Sequence, residues 1–381
     1  MNDLSRRRDP RIDFFRGLAL VMIFINHIPD TVPGLYTSRN FGFSDAAEGF
    51  VLLSGISAGL AYSPIRSANR GLANRFRPWR RAFTLWWVQA VIVLSIYLLL
   101  RLALPLPGVA EMAAARNVTP VLDDPAGLLA PLLLLTHQFN CADILPLYIV
   151  LLLAAPGLIA TAWRWPAALL AGSGLLWLVA GWHGANLRTW PQGIGWFFNP
   201  LSWQFLFSIG LAIGLRASRG GKPASFPAIT VLPALAFLAV SLVWMQSPAL
   251  ADRGQALLAQ AQELFGLPAF ATSFDKTFLA PLRLLHILAL TLVLASLPVV
   301  TRIAHSQWAA PLTILGRNAL PAFAAASILG YVIQVVREFF IPSDLVDAVA
   351  IAVGLNAMLL VALLRDRQRH PTRRPGAMVS G

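Results

Sequence analysis

The chain has 381 residues, of which 57% are hydrophobic and 12% are charged, and its mean hydropathy is +0.65. A soluble domain carries about twice that charged fraction, so the composition excludes a soluble protein and predicts an all-α polytopic membrane protein. The formal net charge is +13, but the basic residues lie between apolar spans rather than on one face, so we expect no nucleic-acid partner. The single cysteine, Cys141, excludes an internal disulfide, and the scattered histidines predict no metal site.

Apolar windows near the spanning length of about 20 residues predict ten transmembrane helices. They lie near 12–29, 43–62, 82–104, 143–163, 166–182, 200–216, 228–246, 280–300, 313–337 and 346–364. Arginines precede the first window as in a signal peptide, but no small-residue cleavage pattern follows, so we expect an uncleaved first helix. The segment 126–136 is too short to span the bilayer and is predicted to be interfacial or re-entrant.

Basic residues fall mainly on one side of this predicted topology. Twenty of the thirty lysines and arginines lie on the predicted inner segments, and eight lie on outer segments or outer helix ends. The positive-inside rule therefore predicts a multi-pass membrane protein with both termini in the cytoplasm. We expect one transmembrane domain over 1–365 and a disordered basic tail over 366–381 near anionic headgroups. The long connections 105–142 and 247–279 are predicted to lie outside, where functional loops are common.

The first two predicted helices carry charged and titratable residues where charge is costly in a membrane: Asp13, Arg16, His27, Asp45 and Glu48. Such residues indicate function by default. Arg16 and His27 are eleven residues apart, so they return to nearly the same helix face, separated by roughly 16 Å. An arginine suits phosphate because its guanidinium forks onto two oxygens. A neutral imidazole is the form that takes a proton from a hydroxyl.

Each of these candidates has a structural alternative. Glu48 is predicted at the same height in the bilayer as His27, where it would fix the tautomer of the imidazole, or the two would only lock the helices together. Arg16 would bind phosphate, or it would extend to the cytoplasmic surface with Asp13 as its ion-pair partner. The arginines that begin the third helix would bind phosphate beside Arg16, or they would only set the topology: Arg75, Arg77, Arg80 and Arg81.

Further polar residues within apolar spans are candidates for substrate binding. The set comprises Asp13, Asp45, Asp143, Asn199, Arg283, His286, Arg317 and Asn318. Asp143 has the alternative of a helix N-cap. Gly55 and Gly59 are expected to allow close helix packing. Four tryptophans favour an outer aromatic belt, with sugar stacking as the alternative: Trp182, Trp190, Trp196 and Trp203.

These residues resemble the OpgC family, which is related to the family-3 integral membrane acyltransferases. The resemblance runs through RIDFFRGLALVMIFINH, FGFSDAAEGFVLLSG, NCADILPLYIVLL, WFFNPLSWQFLFSIG, PLRLLHILAL and LGRNALPAF. Arg16, ten intervening residues and His27 match the first-helix pattern of the wider group. The stretch Phe50 to Gly55 is similar to its FFVLSG, and Arg77 to Arg81 resemble the basic start of its third helix.

The resemblance implies about ten helices and transfer of an acyl group from a cytoplasmic coenzyme A thioester to an extracytoplasmic carbohydrate hydroxyl. In the namesake branch the group is succinyl and the acceptor is an osmoregulated periplasmic glucan. We therefore expect His27, Glu48 and Arg16 to be catalytic, and Arg16, Arg77, Arg80 and Arg81 to hold the donor phosphates. Acyl-CoA is expected as a co-substrate with no bound cofactor, and the expected partners are the bilayer and a glycan acceptor.

Two other functions remain open from the sequence. Proline-interrupted helices are also found in transporters and flippases for anionic or glycan-linked substrates. A non-catalytic partner that presents glycans to the glycan-synthesis machinery is the third hypothesis.

Overall fold

The computed structural model describes residues 9–67, 76–220, 226–340 and 343–369. These residues form helices joined by loops, with one isolated β-bridge between Arg188 and Gly195, so the all-α class is confirmed for the described chain. The helices of eight or more residues are α1 Pro10–Asn26, α2 Ala46–Tyr62, α3 Arg77–Ala103, α4 Pro125–Leu133, α5 Ile144–Arg164, α6 Pro166–His183, α7 Pro200–Ser218, α8 Ala228–Gln246, α9 Pro248–Phe265, α10 Pro281–Ser296, α11 Pro298–His305, α12 Ala310–Arg317, α13 Ala319–Arg337 and α14 Asp344–Arg369.

Six of these helices are long and apolar enough to cross a membrane, namely α3, α5, α6, α8, α13 and α14. The pair α10 and α11 meets the same test together but is bent by 77°. Every predicted apolar window overlaps at least one helix. The count of ten spans and the cytoplasmic placement of both termini stay predictions.

The two long connections, 105–142 and 247–279, contain more helix than the sequence indicated. Within 105–142 there are short helices at Val109–Ala115 and Thr119–Asp123, followed by α4, which corresponds to the predicted segment 126–136. The connection 247–279 contains the 18-residue helix α9, which the apolar windows missed because its sequence is amphipathic. At the other end of the chain α14 continues to Arg369, so the first four residues of the predicted disordered tail are helical. The rest of that tail lies outside the described residues.

Helices α2 and α7 approach each other until their backbones touch. A Cβ atom at Gly55 would overlap the carbonyl oxygen of Phe207, and one at Gly59 would lie as close to the α7 backbone. Gly210 and Gly214 approach the α2 backbone in the same way. The prediction that Gly55 and Gly59 serve close helix packing is therefore confirmed, and the contact is of the small-residue kind.

Helix α1 packs on α12 with equal closeness. A Cβ at Gly17 would overlap the Leu312 carbonyl oxygen, and a Cβ at Gly316 would overlap that of Asp13. Helix α1 also packs against α2. Its charged residues are thereby held between α2 and α12, within a core that includes the buried Leu20 and Phe24.

The glycine contact between α2 and α7 gives a first prediction. Gly55→Leu would force the two backbones apart and should lower the free energy of unfolding by roughly 1–3 kcal/mol. The matched control is Gly172→Leu on α6, where a Cβ meets nothing within 4 Å. Thermal unfolding of the purified protein in detergent measures both. Equal losses for the two variants would show that α2 and α7 do not touch in this way.

Candidate functional site

Arg16 is buried at one end of α1, with 9% of its surface exposed. Its guanidinium donates to the carbonyl oxygens of Leu53 on α2 and Gly316 on α12, both at 3.4 Å, and to the hydroxyl of Ser57. Its Nη1 lies 3.6 Å from Oδ1 of Asp13. The expected pair with Asp13 is therefore present. The guanidinium is largely buried where α1 meets α2 and α12.

Two of the arginines at the start of α3 differ in their surroundings. Arg77 donates to the carbonyl oxygen of Ala61 at 3.4 Å, and its guanidinium lies 5.6 Å from the centre of the Tyr62 ring. Arg80 is exposed. Arg75 lies outside the described residues.

Tyr148 on α5 lies near both the arginines at the start of α3 and Arg16 of α1. Arg81 and Arg16 both lie within electrostatic range of its hydroxyl. The fold thus brings Arg16 and the start of α3 to the same end of the helices, which we call the Arg16 end. Two arginines acting on one polar group form a place where an anion is favoured.

Arg317 and Asn318 also lie toward the Arg16 end but serve another contact. Nη1 of Arg317 lies 3.5 Å from Oδ1 of Asp366, and the Asn318 amide donates to the same oxygen at 3.3 Å. Both residues thereby attach the junction of α12 and α13 to α14. The structure does not bring them to His27.

His27 follows the last residue of α1 and marks the opposite end, the His27 end. The carbonyl oxygen of His27 accepts hydrogen bonds from the Gln334 amide at 3.1 Å and from Arg116 at 3.4 Å. Within the described ranges its buried ring nitrogen Nδ1 has no hydrogen-bond partner. A buried polar atom left unpaired costs roughly 1–3 kcal/mol, and such a cost is often retained at a functional site.

Arg116 ties the connection 105–142 over this end of α1. Its Nε and Nη2 atoms donate to Oε1 of Gln334 at 3.0 and 2.7 Å, and Nη1 lies 3.3 Å from the sulfur of Cys141. Cys141 has a positive φ of 74°, a backbone conformation that residues other than glycine rarely adopt. The loop, α13 and the main chain of His27 therefore form one hydrogen-bonded unit.

A second charged cluster lies at the start of α2. The Asp45 carboxylate caps the helix by accepting from the Ala47 N–H at 2.8 Å, and the Glu48 carboxylate accepts from the Asp45 N–H at 2.9 Å, which is a capping box. Oε1 of Glu48 lies 2.5 Å from Nη2 of Arg283. Oδ2 of Asp45 lies 2.5 Å from Nζ of Lys276 and 3.4 Å from Arg283.

The expected contact between the His27 imidazole and the Glu48 carboxylate, in which the imidazole would donate, is not among the contacts of the described chain. One Glu48 oxygen accepts from Arg283 and the other from the Asp45 backbone. The reason is its position in the first turn of α2, which directs the carboxylate back to the helix cap. Arg116 and Lys276 both lie within electrostatic range of His27.

The remaining predicted site residues divide between the site and the scaffold. Asp143 occupies the N-cap position of α5 but its side chain makes no capping hydrogen bond, and it lies within electrostatic range of Lys276. His286 is buried with Nδ1 2.6 Å from the Ser44 hydroxyl. Asn199 is fully buried and caps α7, which is a structural role.

The four tryptophans do not form one belt. Trp182 and Trp190 are 52% and 57% exposed, whereas Trp196 and Trp203 are 3% and 0% exposed. The Trp203 indole donates to the carbonyl oxygen of Lys276 at 3.0 Å. Trp203 is therefore a core residue that fixes the main chain at Lys276.

The sequence reasoning missed Arg116, Lys276 and Gln334. The available signal was that Arg116 and Lys276 are basic residues in the two long connections, on the side where basic residues are few. No pattern marked Gln334, which only the fold brings to His27. Within the described ranges, no group of three or more His, Cys, Asp or Glu residues is placed to hold a metal ion.

The pair of Glu48 and Arg283 gives a second prediction. Arg283→Met should lower the free energy of unfolding by roughly 3–5 kcal/mol, because it leaves the Glu48 charge buried. Glu48→Gln should cost less, because Asp45 still pairs with Arg283. The double variant Glu48→Gln with Arg283→Met should lose much less than the sum of the two single variants. Unfolding in mixed detergent micelles measures this double-mutant cycle.

The matched control is a cycle of Arg317 and Asp366, whose side chains are 29% and 22% exposed. Exposed pairs contribute roughly 0–1 kcal/mol, so this cycle should show little coupling. Additive losses at Glu48 and Arg283 would contradict a buried ion pair there.

The long apolar helices and the charged residues buried between them define a multi-pass membrane protein. A family model described as OpgC protein matches residues 8–370. The chain belongs to the OpgC family, and this membership indicates a membrane acyltransferase. Comparison with the curated proteins and with the solved structures gave no significant match.

Proposed function

We propose that the protein is an inner-membrane O-acyltransferase that moves an acyl group, succinyl or a similar group, from a cytoplasmic acyl-CoA to a hydroxyl of an extracytoplasmic glycan. The observation that carries this proposal is the unpartnered ring nitrogen of His27. Arg116 contacts the His27 carbonyl oxygen, and Lys276 lies within electrostatic range of the ring. Burial disfavours a positive charge on the ring, and the two cations add to this effect. A neutral imidazole is the form that accepts a proton.

The proposed reaction uses this imidazole as the general base. His27 takes the proton of the acceptor hydroxyl while the hydroxyl oxygen attacks the carbonyl carbon of the thioester. The intermediate carries negative charge on the former carbonyl oxygen, which Lys276 and Arg116 stabilise electrostatically. Collapse breaks the carbon–sulfur bond, forms the ester, and returns the proton from His27 to the coenzyme A sulfur.

The donor is proposed to bind at the Arg16 end. Arg16 and Arg81 supply positive charge around Tyr148, and the exposed Arg80 extends the basic surface. The phosphates would lie there while the thioester reaches His27, which is roughly 16 Å away along α1. Helix α1 would thus connect a donor from one side of the membrane with an acceptor from the other.

Glu48 takes a positioning role in this proposal. It neutralises Arg283, and together with Asp45 it forms the cluster that holds Lys276. Lys276 is therefore fixed at the His27 end instead of extending into solvent. Asp143, within electrostatic range of Lys276 and with no capping hydrogen bond of its own, is proposed to contact the acceptor.

The general base gives a third prediction. His27→Ala should lower kcat by roughly 10²–10⁴-fold while donor affinity stays nearly unchanged. The control is His183→Ala, at an exposed histidine that ends α6. Acyl transfer to glycan by purified protein in liposomes measures kcat, and donor binding is measured separately. A His27→Ala variant with full transfer activity would rule out this mechanism.

The phosphate site gives a fourth prediction. Arg81→Ala should remove a charge-assisted contact of roughly 1.5–3 kcal/mol, which raises the donor KM by about one to two orders of magnitude with kcat largely kept. Arg101→Ala, at an exposed residue near the other end of α3, should leave the donor KM unchanged. An equal effect of both variants would place the phosphates elsewhere.

Arg16 needs the conservative variant because its guanidinium also ties α1 to α2 and α12. Arg16→Lys keeps the charge and loses the bidentate fork. Lysine cannot make all of these contacts, so some loss of thermal stability is expected; if Arg16 also binds phosphate, the donor KM should rise as well. A loss of stability with the donor KM unmoved would leave Arg16 a purely structural residue.

Transport or flipping of a glycan-linked substrate is the second candidate, and the 77° break between α10 and α11 favours it. Transport sites use broken helices near the middle of the bilayer, however, and this break follows 16 residues of α10, near one membrane surface. Mass spectrometry of envelope glycans with and without the protein separates the two. A gain of one acyl mass per substituted sugar supports the enzyme, whereas altered glycan location without a mass change supports transport.

A further inference from the structure

Helix α11 turns away from the transmembrane direction of α10. The two helices meet at Leu297 with a bend of 77°. Helix α10 has 16 residues and therefore rises roughly 24 Å, which is somewhat less than the roughly 30 Å of a hydrocarbon core. The chain thus turns where it nears the headgroup region of one leaflet.

Helix α11 has three distinct faces around its axis. Val299 and Ile303 form an exposed apolar face, with 43% and 48% of their surfaces exposed. Arg302 and His305 lie on the neighbouring face and are exposed. On the third face Ala304 is buried at 3% exposure.

Two neighbours of α11 complete the arrangement. Thr301, on the third face, accepts a hydrogen bond from Arg11 at the start of α1 at 3.4 Å. This contact places α11 at the Arg16 end of the molecule. Trp308, just beyond the helix, is 84% exposed, although a large indole is seldom so exposed unless it meets an interface.

We propose that α11 and Trp308 form an interfacial element that lies in the leaflet at the Arg16 end, with anionic phospholipid headgroups bound along its Arg302 face. An apolar strip beside a basic strip is the pattern of a helix in the membrane interface. Val299, Ile303 and Trp308 enter the acyl boundary, and Arg302 meets the headgroup phosphates.

A membrane surface fits these faces better than a protein partner does. The apolar and basic strips are adjacent, so one flat boundary between hydrocarbon and charge satisfies both of them at once. The preceding helix comes close to that boundary by its length, and the third face is already covered by this chain. The net charge of +13 adds a general attraction to anionic lipid.

The position of α11 in the leaflet would also set the depth of the charged cluster at the other end of α10. Arg283 lies in the first turn of α10, where it pairs with Glu48. Because α10 joins α11 directly, the height of α11 in the leaflet fixes how far Arg283 reaches toward the opposite surface. The proposal does not depend on the acyltransferase assignment.

Single-cysteine labelling tests the proposal in the full chain. Cys141 is the one native cysteine, so Cys141→Ser provides the background for Ile303→Cys and, as the matched control two residues away, His305→Cys. Each variant carries a nitrobenzoxadiazole label in nanodiscs of phosphatidylcholine or phosphatidylglycerol. We expect a blue-shifted emission at position 303, with about threefold stronger quenching by doxyl lipid than at position 305.

The binding of anionic headgroups is tested by adding Arg302→Glu to the protein labelled at position 303. Lipid quenching should fall in phosphatidylglycerol and change little in phosphatidylcholine. A second measurement avoids the cysteine background: brominated lipid should quench a component of tryptophan fluorescence that is lost in Trp308→Phe.

Equal aqueous iodide quenching at positions 303 and 305 would overturn the proposal, since α11 would then lie in water. Shielding of position 303 from both iodide and doxyl lipid would also overturn it, because a protein partner or a second copy would cover that face. Equal behaviour of Arg302→Glu in the two lipids would remove the anionic headgroup from the proposal.

Discussion

The pairing of buried charge is the constraint on which this structure depends. At the start of α2 the Glu48 side chain is fully buried and the Asp45 side chain is 15% exposed, and the energy of an unpaired charge in such a place is high. Lys276 and Arg283 neutralise them from two other parts of the chain. Pairing therefore joins α2, the connection before α10, and α10 itself in one cluster, whose Lys276 lies within electrostatic range of His27.

Helix α1 is fixed by different means at its two ends. At one end Arg16 uses its side chain to reach the backbones of α2 and α12. At the other end Gln334 and Arg116 reach the main chain of His27. The imidazole is thus left out of the scaffold, which agrees with its proposed use as the group that meets substrate.

The sequence predicted what depends on local pattern. Apolar windows located the main helices, and the spacing of three residues identified the pair of Asp13 and Arg16. The partner of Glu48 was not predictable in this way, because Arg283 is 235 residues distant and only the packing of α10 brings it close. Helix α9 was missed because an amphipathic surface helix has too little total hydropathy for a spanning window.

The backbone contact of α2 and α7 limits where the site can open. At the glycines the backbones of α2 and α7 are in direct contact. Because no side chain there can rotate to change the spacing, we treat the two helices as one rigid wall. Asp45 caps the start of α2, and the Trp203 indole of α7 donates to the Lys276 carbonyl oxygen. Asp45 and Lys276 are therefore both attached to that wall. In the proposed reaction a substrate would therefore approach from the opposite side, where the connection 105–142 and the C-terminal end of α13 are held at His27 by hydrogen bonds from Arg116 and Gln334.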